Sequence, residues 1–381
     1  MQSRAVPPLI DYLAQVPDCR KARGKRHPLP AVLALACVAM LSGARSESAI
    51  ADWAAQHGAE WRQRLGLTHP IGPSQATLSR LFQGLDWRQV EEQVGRWAEQ
   101  VLAGSSGPPP DQPRPPEAIA LDGKTLRGSA KRGAAAAHLL SALSHRLGVV
   151  LGQVAVSDKR NEIVAAPDLL TDLVLTGRVV TVDAHLTQRR LAQQILDQGG
   201  DYLMVVKDNQ PTLLEDLRVL FDDPTTAVQA AEDVTLQRGR VEVRHLRASS
   251  ELVGYSDWPG LQQALCLDRT VISKATGEVQ EERAYAVTSL PATQVQPAAL
   301  LTVWRGHWHI ENKSHYVRDV TFDEDRSAVR AGHGPQVMAA LRNAVIGLMR
   351  LRGEPNIAAA CRRFAAQPPL ALAAIGLPAR L

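Results

Sequence analysis

Two apolar runs that each end in an aspartate set the strongest limit on how this chain can fold. Residues 117–121 lead directly into Asp122, and residues 178–182 lead directly into Asp183. Around them, segments with helical spacing alternate with short apolar runs, which indicates an α/β sheet. Side chains at the carboxyl ends of strands in such a sheet project into the crevice where ligands bind. The sequence therefore predicts an α/β fold with two carboxylates at one edge of its sheet.

The remaining pattern predicts how this sheet is extended. Residues 139–156 contain a turn near 146–148 and predict an antiparallel hairpin. A helix is expected over 186–198 and a strand over 202–206. Three further strands are then expected, within 234–253, 261–272 and 279–288. This β-rich stretch interrupts the alternation, and we interpret it as an insertion.

The chain has 381 residues, which is enough for two or three domains with a sizeable core. The segment 106–115 is rich in Pro and Gly and separates two regions of different periodicity. The predicted organisation is a helical domain at 1–103, a Pro/Gly linker at 104–116, the first part of an α/β core at 117–214, the β-rich insertion at 215–300, the final part of that core at 301–352 and a C-terminal tail at 353–381.

Charge and cysteine usage narrow the class of protein. The net charge of +4 and the pI near 9.0 are compatible with a nucleic-acid partner without requiring one. The four cysteines lie far apart and form no CxxC pair, which argues against a zinc finger and for reduced thiols in the cytoplasm. The apolar run at 29–41 is too short to span a bilayer, so we expect a buried helix and no membrane partner.

The helical N-terminal region contains two candidate DNA-contact features. Ser74 is a candidate N-cap, and the preceding turn makes a helix-turn-helix conceivable in which Gln75, Thr77, Ser79 and Arg80 face DNA. A structural helical bundle explains the same pattern equally well. The densest basic cluster could contact phosphates or form a solvated loop; its members are Arg20, Lys21, Arg23, Lys25 and Arg26.

The stretch 301–325 combines tryptophan, histidine and charge at helical spacing. Four residues at i, i+4, i+7 and i+11 are expected to share one helix face; they are Trp304, Trp308, Glu311 and His315. Such a face could turn Glu311 inward, whereas an ordinary amphipathic surface helix is the alternative. A later helix is expected over 336–352, with Arg342 on or near its solvent face.

Three acids are the candidate catalytic residues: Asp122, Asp183 and Glu311. Carboxylates gathered at close range are costly unless a cation neutralises them, and Mg²⁺ accepts a few carboxylates while keeping waters. Two such ions about 3.5–4 Å apart can activate an attacking oxygen and stabilise the leaving oxygen of a phosphodiester. Alternatively, Asp122 could start a turn and Asp183 could cap a helix at Leu186.

Four ordered blocks carry a family resemblance: LDGKTLRGS, VVTVDAHLTQ, YLMVVKDNQPTL and HWHIENKSHYVRDVTFDEDRS. They resemble bacterial insertion-sequence DDE transposases, closest to the subgroup of the H-repeat-associated proteins. The resemblance implies a ribonuclease-H-like mixed sheet with a β-rich insertion. It also implies a metal-binding triad of Asp122, Asp183 and Glu311. The triad would hold two Mg²⁺ ions, for which Mn²⁺ could substitute.

One departure from related transposases affects the last block. Many carry Tyr, Arg and Lys in the pattern Y-x2-R-x3-E-x6-K, and this chain has Trp304, His307 and Arg318 at those positions. Arginine keeps the charge of lysine, whereas histidine keeps only a titratable charge. The handling of strand ends, including any hairpin intermediate, is therefore left open.

The resemblance implies a transposase that binds the inverted-repeat ends of its element and target DNA, as a homodimer in the bacterial cytoplasm. The candidate phosphate contacts, for which ordinary loop polarity is the alternative, are Lys124, His185, Lys207, Asn209, His307 and Arg318. Competing functions are a nuclease of the same fold without strand transfer and a catalytically silent DNA-binding protein. A two-carboxylate glycosidase is disfavoured because aromatic residues make up only 4% of the chain.

Overall fold

The structure is a computed structural model that describes residues 6–22, 25–105, 116–131, 135–156, 161–237 and 239–378. Its α-helices are α1 (Leu9–Leu13), α2 (Leu29–Leu41), α3 (Glu47–Gln56), α4 (Ala59–Arg64), α5 (Gln75–Gly84), α6 (Trp87–Gly104), α7 (Glu162–Thr171), α8 (Arg189–Asp197), α9 (Pro211–Asp222), α10 (Pro297–Gly306), α11 (Tyr316–Val320), α12 (Gly334–Leu351), α13 (Ile357–Ala366) and α14 (Pro368–Ile375). Its strands are β1 (Glu117–Thr125), β2 (His138–Ser144), β3 (Val150–Val156), β4 (Arg178–Val182), β5 (Asp201–Val206), β6 (Gln229–Gln237), β7 (Arg240–Ser249), β8 (Gln263–Ser273) and β9 (Val279–Thr288).

The chain divides into two compact units. The first contains residues 1–108, 123–165 and 309–381, and the second contains 109–122 and 166–308. The helices of the N-terminal region therefore share one unit with the C-terminal helices, while the predicted domain boundaries stay predictions. The predicted linker at 104–116 lies largely outside the described residues.

The second unit is built on a mixed sheet, which confirms the predicted α/β class. Its strands follow the order β1-β4-β5-β9-β8-β7-β6. β1, β4 and β5 are parallel, and the remaining neighbours are antiparallel. Apolar residues of the strands, such as Val179 and Leu203, pack with Leu300 and Trp304 of α10 in one buried cluster. The core thus holds the carboxyl ends of β1 and β4 in a fixed frame.

The first unit has a core of helices and the β2–β3 hairpin. α2 is apolar throughout and buried along nearly its whole length, which explains the short hydrophobic run in the sequence. α6 packs against β3 and α12. Within the described ranges, no helix has both the length and the apolar character needed to cross a membrane.

Several predicted elements differ from those observed. The single strand expected within 234–253 is the β6–β7 hairpin, because Gly239 turns the chain with a φ of 74°. The helix expected after residue 301 is interrupted: α10 ends at Gly306, and Glu311–His315 forms a π-helical turn. The expected shared helix face is therefore wrong, since Trp304 is buried whereas Trp308 is 65% exposed.

The predicted solvent position of Arg342 is also wrong. Arg342 is 1% exposed and donates to Glu324 Oε1 at 2.8 Å. Arg318 donates to Glu324 Oε2 at 2.8 Å, so two guanidinium groups share one carboxylate. Burial raises the pKa of Glu324, but the charges of Arg318 and Arg342 outweigh it and hold that pKa below its ordinary value. We call these three residues the buried ion network.

A neutral hydrogen-bond chain lies in the same unit. Asn343 donates to Gln153 Oε1 at 3.0 Å, and Gln153 donates to Glu91 Oε2 at 2.9 Å. Burial raises the pKa of Glu91 to about 8, while its bond to Gln153 acts in the opposite direction. Glu91 is therefore protonated at neutral pH, which allows a carboxyl group to be buried between α6 and β3 without a direct ion pair to any described residue.

Candidate active site

Asp122 and Asp183 lie beside each other where the parallel pairing of β1 with β4 ends. Asp183 follows the last residue of β4, whereas Asp122 lies inside β1, which continues to Thr125, so the strand end predicted at Asp122 is wrong. The last paired residues of β1 and β4 are Leu121 and Val182, and each aspartate is the next residue in its chain. Both side chains are partly buried. The apolar runs pair in parallel register because their side chains are buried on both faces. That register brings two carboxylates to one edge of the sheet, as the sequence predicts.

His307 completes this group from the C-terminal end of α10. Its Nδ1 lies 3.1 Å from the hydroxyl oxygen of Thr181, the penultimate residue of β4. Burial lowers the pKa of His307, while the carboxylates of Asp122 and Asp183 act against that change. The imidazole is therefore kept neutral next to two acids and gives them no full positive charge.

A hydrogen-bonded loop fixes the backbone that follows Asp183. Asp183 Oδ1 accepts from the backbone N–H of Leu186 at 3.1 Å, although the next helix begins only at Arg189. Thr187 donates its hydroxyl to the carbonyls of Asp183 and Val205, at 2.9 and 2.6 Å. The second carboxylate oxygen of Asp183 has no hydrogen-bond partner among the described residues and is left for another ligand.

This arrangement fits a hard divalent cation. Neighbouring carboxylates repel each other unless a positive charge lies between them, and the adjacent imidazole is held neutral. Carboxylate oxygens at a strand end are the ligands that Mg²⁺ or Mn²⁺ takes, with water filling the other positions. Asp122 and Asp183 therefore form a chemically suitable pair of metal ligands.

Glu311 occupies the first position of the π-helical turn in the other compact unit. Its side chain is 50% exposed, and its Oε2 lies 3.3 Å from Nδ1 of His315. His315 is buried at 3% exposure and holds the carboxylate from one side. A π turn is a common device at functional sites because it re-aims side chains on an otherwise helical segment. Glu311 thus presents a partly exposed, oriented carboxylate.

Two of the predicted DNA contacts are engaged by acids of their own unit. Lys124 Nζ lies 2.6 Å from Asp319 Oδ2, and the lysine is 7% exposed. Burial raises the pKa of Asp319, and Lys124 acts in the opposite direction. Arg318 is fully buried in the buried ion network. The structure therefore presents neither side chain as an open phosphate contact.

The other predicted contacts lie after strands β4 and β5. His185 is partly exposed, and Lys207 and Asn209 are exposed. Asn209 donates to the carbonyl of Ala184 at 2.6 Å, so it ties the loop after β5 to the loop after Asp183. The structure thus brings Asp122, Asp183 and His307 together, with Asn209 in a supporting position.

Sequence reasoning missed the supporting residues Thr181 and Thr187, and it did not predict the partner of Asp319. Thr181 and Thr187 flank Asp183 at two and four residues, and small hydroxyl residues beside a strand-end acid are the local signal that could have identified them. Asp319 lies 195 residues from its partner Lys124, so no local pattern encodes that pair.

Comparisons with known proteins identify the family to which this chain is similar. A family model described as Transposase DDE domain matches residues 113–348, and one described as DDE_Tnp_1-associated matches residues 10–98. "Putative protein YbfL" and "H repeat-associated putative transposase YhhI", both of Escherichia coli K12, are each 30% identical over 355 residues, covering 90% of either chain. "Putative transposase YncI" of Escherichia coli O157:H7 is 30% identical over 357 residues, covering 91% of this chain and 88% of its own.

Proposed function

Because the chain belongs to the DDE transposase family, we propose that it cuts the ends of its own DNA element and joins them to target DNA. The expected resemblance to the H-repeat-associated subgroup is confirmed by these relatives. The observation that carries the proposal is the parallel register of β1 and β4, which sets Asp122 beside Asp183. Both residues fall inside the matched range, 113–348.

We assign the metal-binding triad to Asp122, Asp183 and Glu311. Support for Glu311 comes from its place in the same matched range and from its half-exposed carboxylate, which His315 orients. Bound Mg²⁺ or Mn²⁺, in two ions, would lower the pKa of the attacking oxygen and offset charge on the leaving oxygen. His307 would stay neutral and, together with Thr181, hold the two aspartates in place.

The DNA-contact residues divide into two proposed roles. Lys207 and His185 would meet DNA phosphates, because their side chains are exposed or partly exposed after β5 and β4. Lys124, Asn209, His307 and Arg318 would instead position the site, because each is bonded to a neighbouring group.

We propose that this mixed α/β fold is ribonuclease-H-like. Its support is the antiparallel hairpin β2–β3 together with the parallel strands β1, β4 and β5, with two acids where the pairing of β1 with β4 ends. The antiparallel strands β6–β9 precede the last acid, as an insertion would. Two element ends must be processed together, so we propose that a homodimer acts on inverted-repeat DNA in the cytoplasm, at the nucleoid.

The test is cleavage of labelled duplex DNA that carries the element's own ends. Wild type is compared with Glu311→Gln and Asp122→Asn, with Mg²⁺ and with chelator. Glu215→Gln is the matched control, because this acid is 66% exposed on α9. Metal-dependent nicking that both site variants lose, and the control keeps, is the expected result.

Three other outcomes separate the competing functions. Nicking without joining of paired ends identifies a nuclease of the same fold. DNA binding without cleavage under any metal identifies a silent DNA-binding protein. Full cleavage by Glu311→Gln, with cleavage lost only in Asp122→Asn, would remove Glu311 from the triad and leave a two-acid site.

A further inference from the structure

A basic groove lies among the N-terminal helices, outside the candidate active site. It has a volume of about 380 Å³. Its lining combines three arginines, a histidine and a threonine over two apolar side chains; the lining residues are Arg20, Arg26, His27, Val32, Thr77, Arg80 and Leu81. Three guanidinium groups around one concave surface suit an anion.

The fold brings together here two sequence features that are far apart in the chain. One is the basic cluster, of which Arg20 and Arg26 line the groove, while Arg23 lies outside the described residues. The other is α5, whose residues Thr77 and Arg80 line the opposite part. The Thr68 hydroxyl donates to the carbonyl of Arg26 at 2.8 Å, so the basic loop is held in place.

The remaining α5 residues of the predicted helix-turn-helix are otherwise engaged. Ser74 caps the helix by accepting from the backbone N–H of Thr77, as expected. Gln75 faces Glu47 at 3.5 Å, and the Ser79 hydroxyl accepts from Gln83 at 2.8 Å. Only part of the predicted DNA-facing set therefore points to the groove, namely Thr77 and Arg80.

The arginines of the groove differ in what they are bound to. Arg20 forms two bonds of 2.9 Å to the carboxylate of Asp18, which neutralises it. By contrast, Arg26 and Arg80 are exposed, and neither forms an ion pair within the part of the chain that the structure describes. These two guanidinium groups keep their full positive charge for an external anion.

A buried polar atom in the groove is a second, independent sign of a ligand. His27 is 4% exposed, and its Nδ1 has no hydrogen-bond partner among the residues described. A buried polar group without a partner destabilises the fold, so such atoms are rare unless something else satisfies them. In the tautomer that carries its proton on Nδ1, His27 would donate to a phosphate oxygen in the groove.

We propose that this groove binds the phosphate backbone of duplex DNA through Arg26 and Arg80, with His27 and Thr77 as further donors. The inference rests on the proposed function, because a transposase supplies the reason for a DNA partner. It adds a DNA-binding surface separate from the catalytic acids. Such contacts carry no sequence information and position the protein on the duplex.

The test is the salt dependence of binding to a fluorescein-labelled DNA duplex of random sequence, measured by anisotropy in the presence of chelator. Each phosphate contact contributes about 0.9 to the slope of log K against log salt. The double variant Arg26→Ala/Arg80→Ala is expected to lower that slope by about 2. Arg80→Lys should keep the slope and lose only part of the affinity, because lysine keeps the charge without the planar fork.

Arg352→Ala is the matched control, since it removes an exposed arginine at the end of α12. It should bind DNA with the wild-type slope. An unchanged slope in the double variant, or an equal loss in Arg352→Ala, overturns the groove assignment. Failure of the wild type to bind any duplex overturns the groove and the proposed function together.

The groove and the proposed function can also fail separately. A lower slope in the double variant of a protein that never cleaves DNA supports the groove and refutes the transposase reaction. Metal-dependent cleavage with an unchanged slope leaves the reaction standing and removes the groove.

Discussion

The acid pair at the sheet edge and the buried ion network both contain carboxylates at least partly removed from bulk water, but their negative charge is neutralised differently. In the network, Arg318 and Arg342 both bond to Glu324, and all three are nearly inaccessible to solvent. At the sheet edge, Asp122 and Asp183 lie next to His307, whose pKa is lowered by burial. A carboxylate that the protein itself neutralises serves the fold, whereas a carboxylate pair beside a neutral base is suited to bind a cation.

The largest expected effect tests the acid pair. Asp183→Asn should abolish metal-dependent cleavage. Losing a residue that merely hydrogen-bonds to a metal ligand lowers metal affinity or activity by roughly 10–100-fold, and losing a ligand itself should lower it further. The melting temperature should stay at or slightly above the wild-type value, because one of two repelling charges is gone and Asn still accepts from Leu186. A loss of folding instead of activity would place Asp183 with the structural acids.

The next effect tests the buried ion network. Glu324→Gln leaves two buried guanidinium groups without their carboxylate and should lower the free energy of unfolding by about 3–5 kcal/mol. Urea denaturation measures this change. Glu282→Gln is the control, since its bond to Arg269 is exposed and such pairs contribute about 0–1 kcal/mol. Equal losses in the two variants would contradict the comparison.

The pH dependence of folding stability tests how Glu91 is buried without a direct ion pair to any described residue. Its folded pKa of about 8 lies above its ordinary value of 4.5, so the folded state holds a proton that the unfolded state releases. Stability should therefore be full below pH 4.5, fall by about 1.4 kcal/mol per pH unit between 4.5 and about 8, and then level off.

Glu91→Gln should remove that dependence, because the amide oxygen still accepts from Gln153 and carries no proton to lose. Urea denaturation across this pH range compares the two proteins. A pH slope that persists unchanged in the variant would show that another group causes it.

The smallest expected effect concerns Thr181. Thr181→Val removes the hydroxyl that bonds to His307 and should cost about 0.5–1.5 kcal/mol of stability, with a decrease in cleavage rate. Thr302→Val is the control, because among the described residues that hydroxyl bonds only to the carbonyl of Ala298 within α10. Identical cleavage rates for the two variants would mean that His307 does not position the aspartates.

Local sequence patterns predicted the elements that carry the two aspartates. Strands β4 and β5, the β2–β3 hairpin and the Ser74 cap agree with the structure because alternation, turn residues and caps act over a few positions. The same patterns did not predict the π-helical turn at Glu311. They also did not predict that Trp304 is buried while Trp308 is exposed. Helical periodicity assumes an unbroken helix, whereas this one ends at Gly306 and resumes as a π-helical turn at Glu311.

The sequence by itself determined that two acids follow apolar strands and that their blocks match one family, because burial forces apolar runs into a sheet and leaves polar residues at its edge. Tertiary structure alone decided which charges are neutralised. An arginine on a helix is usually exposed to solvent, yet Arg342 is buried because it pairs with Glu324, 18 residues away. Lys124 is likewise buried in an ion pair with Asp319, which is distant in the sequence. A buried charge requires an opposite charge at contact distance, and only the folded chain brings one there.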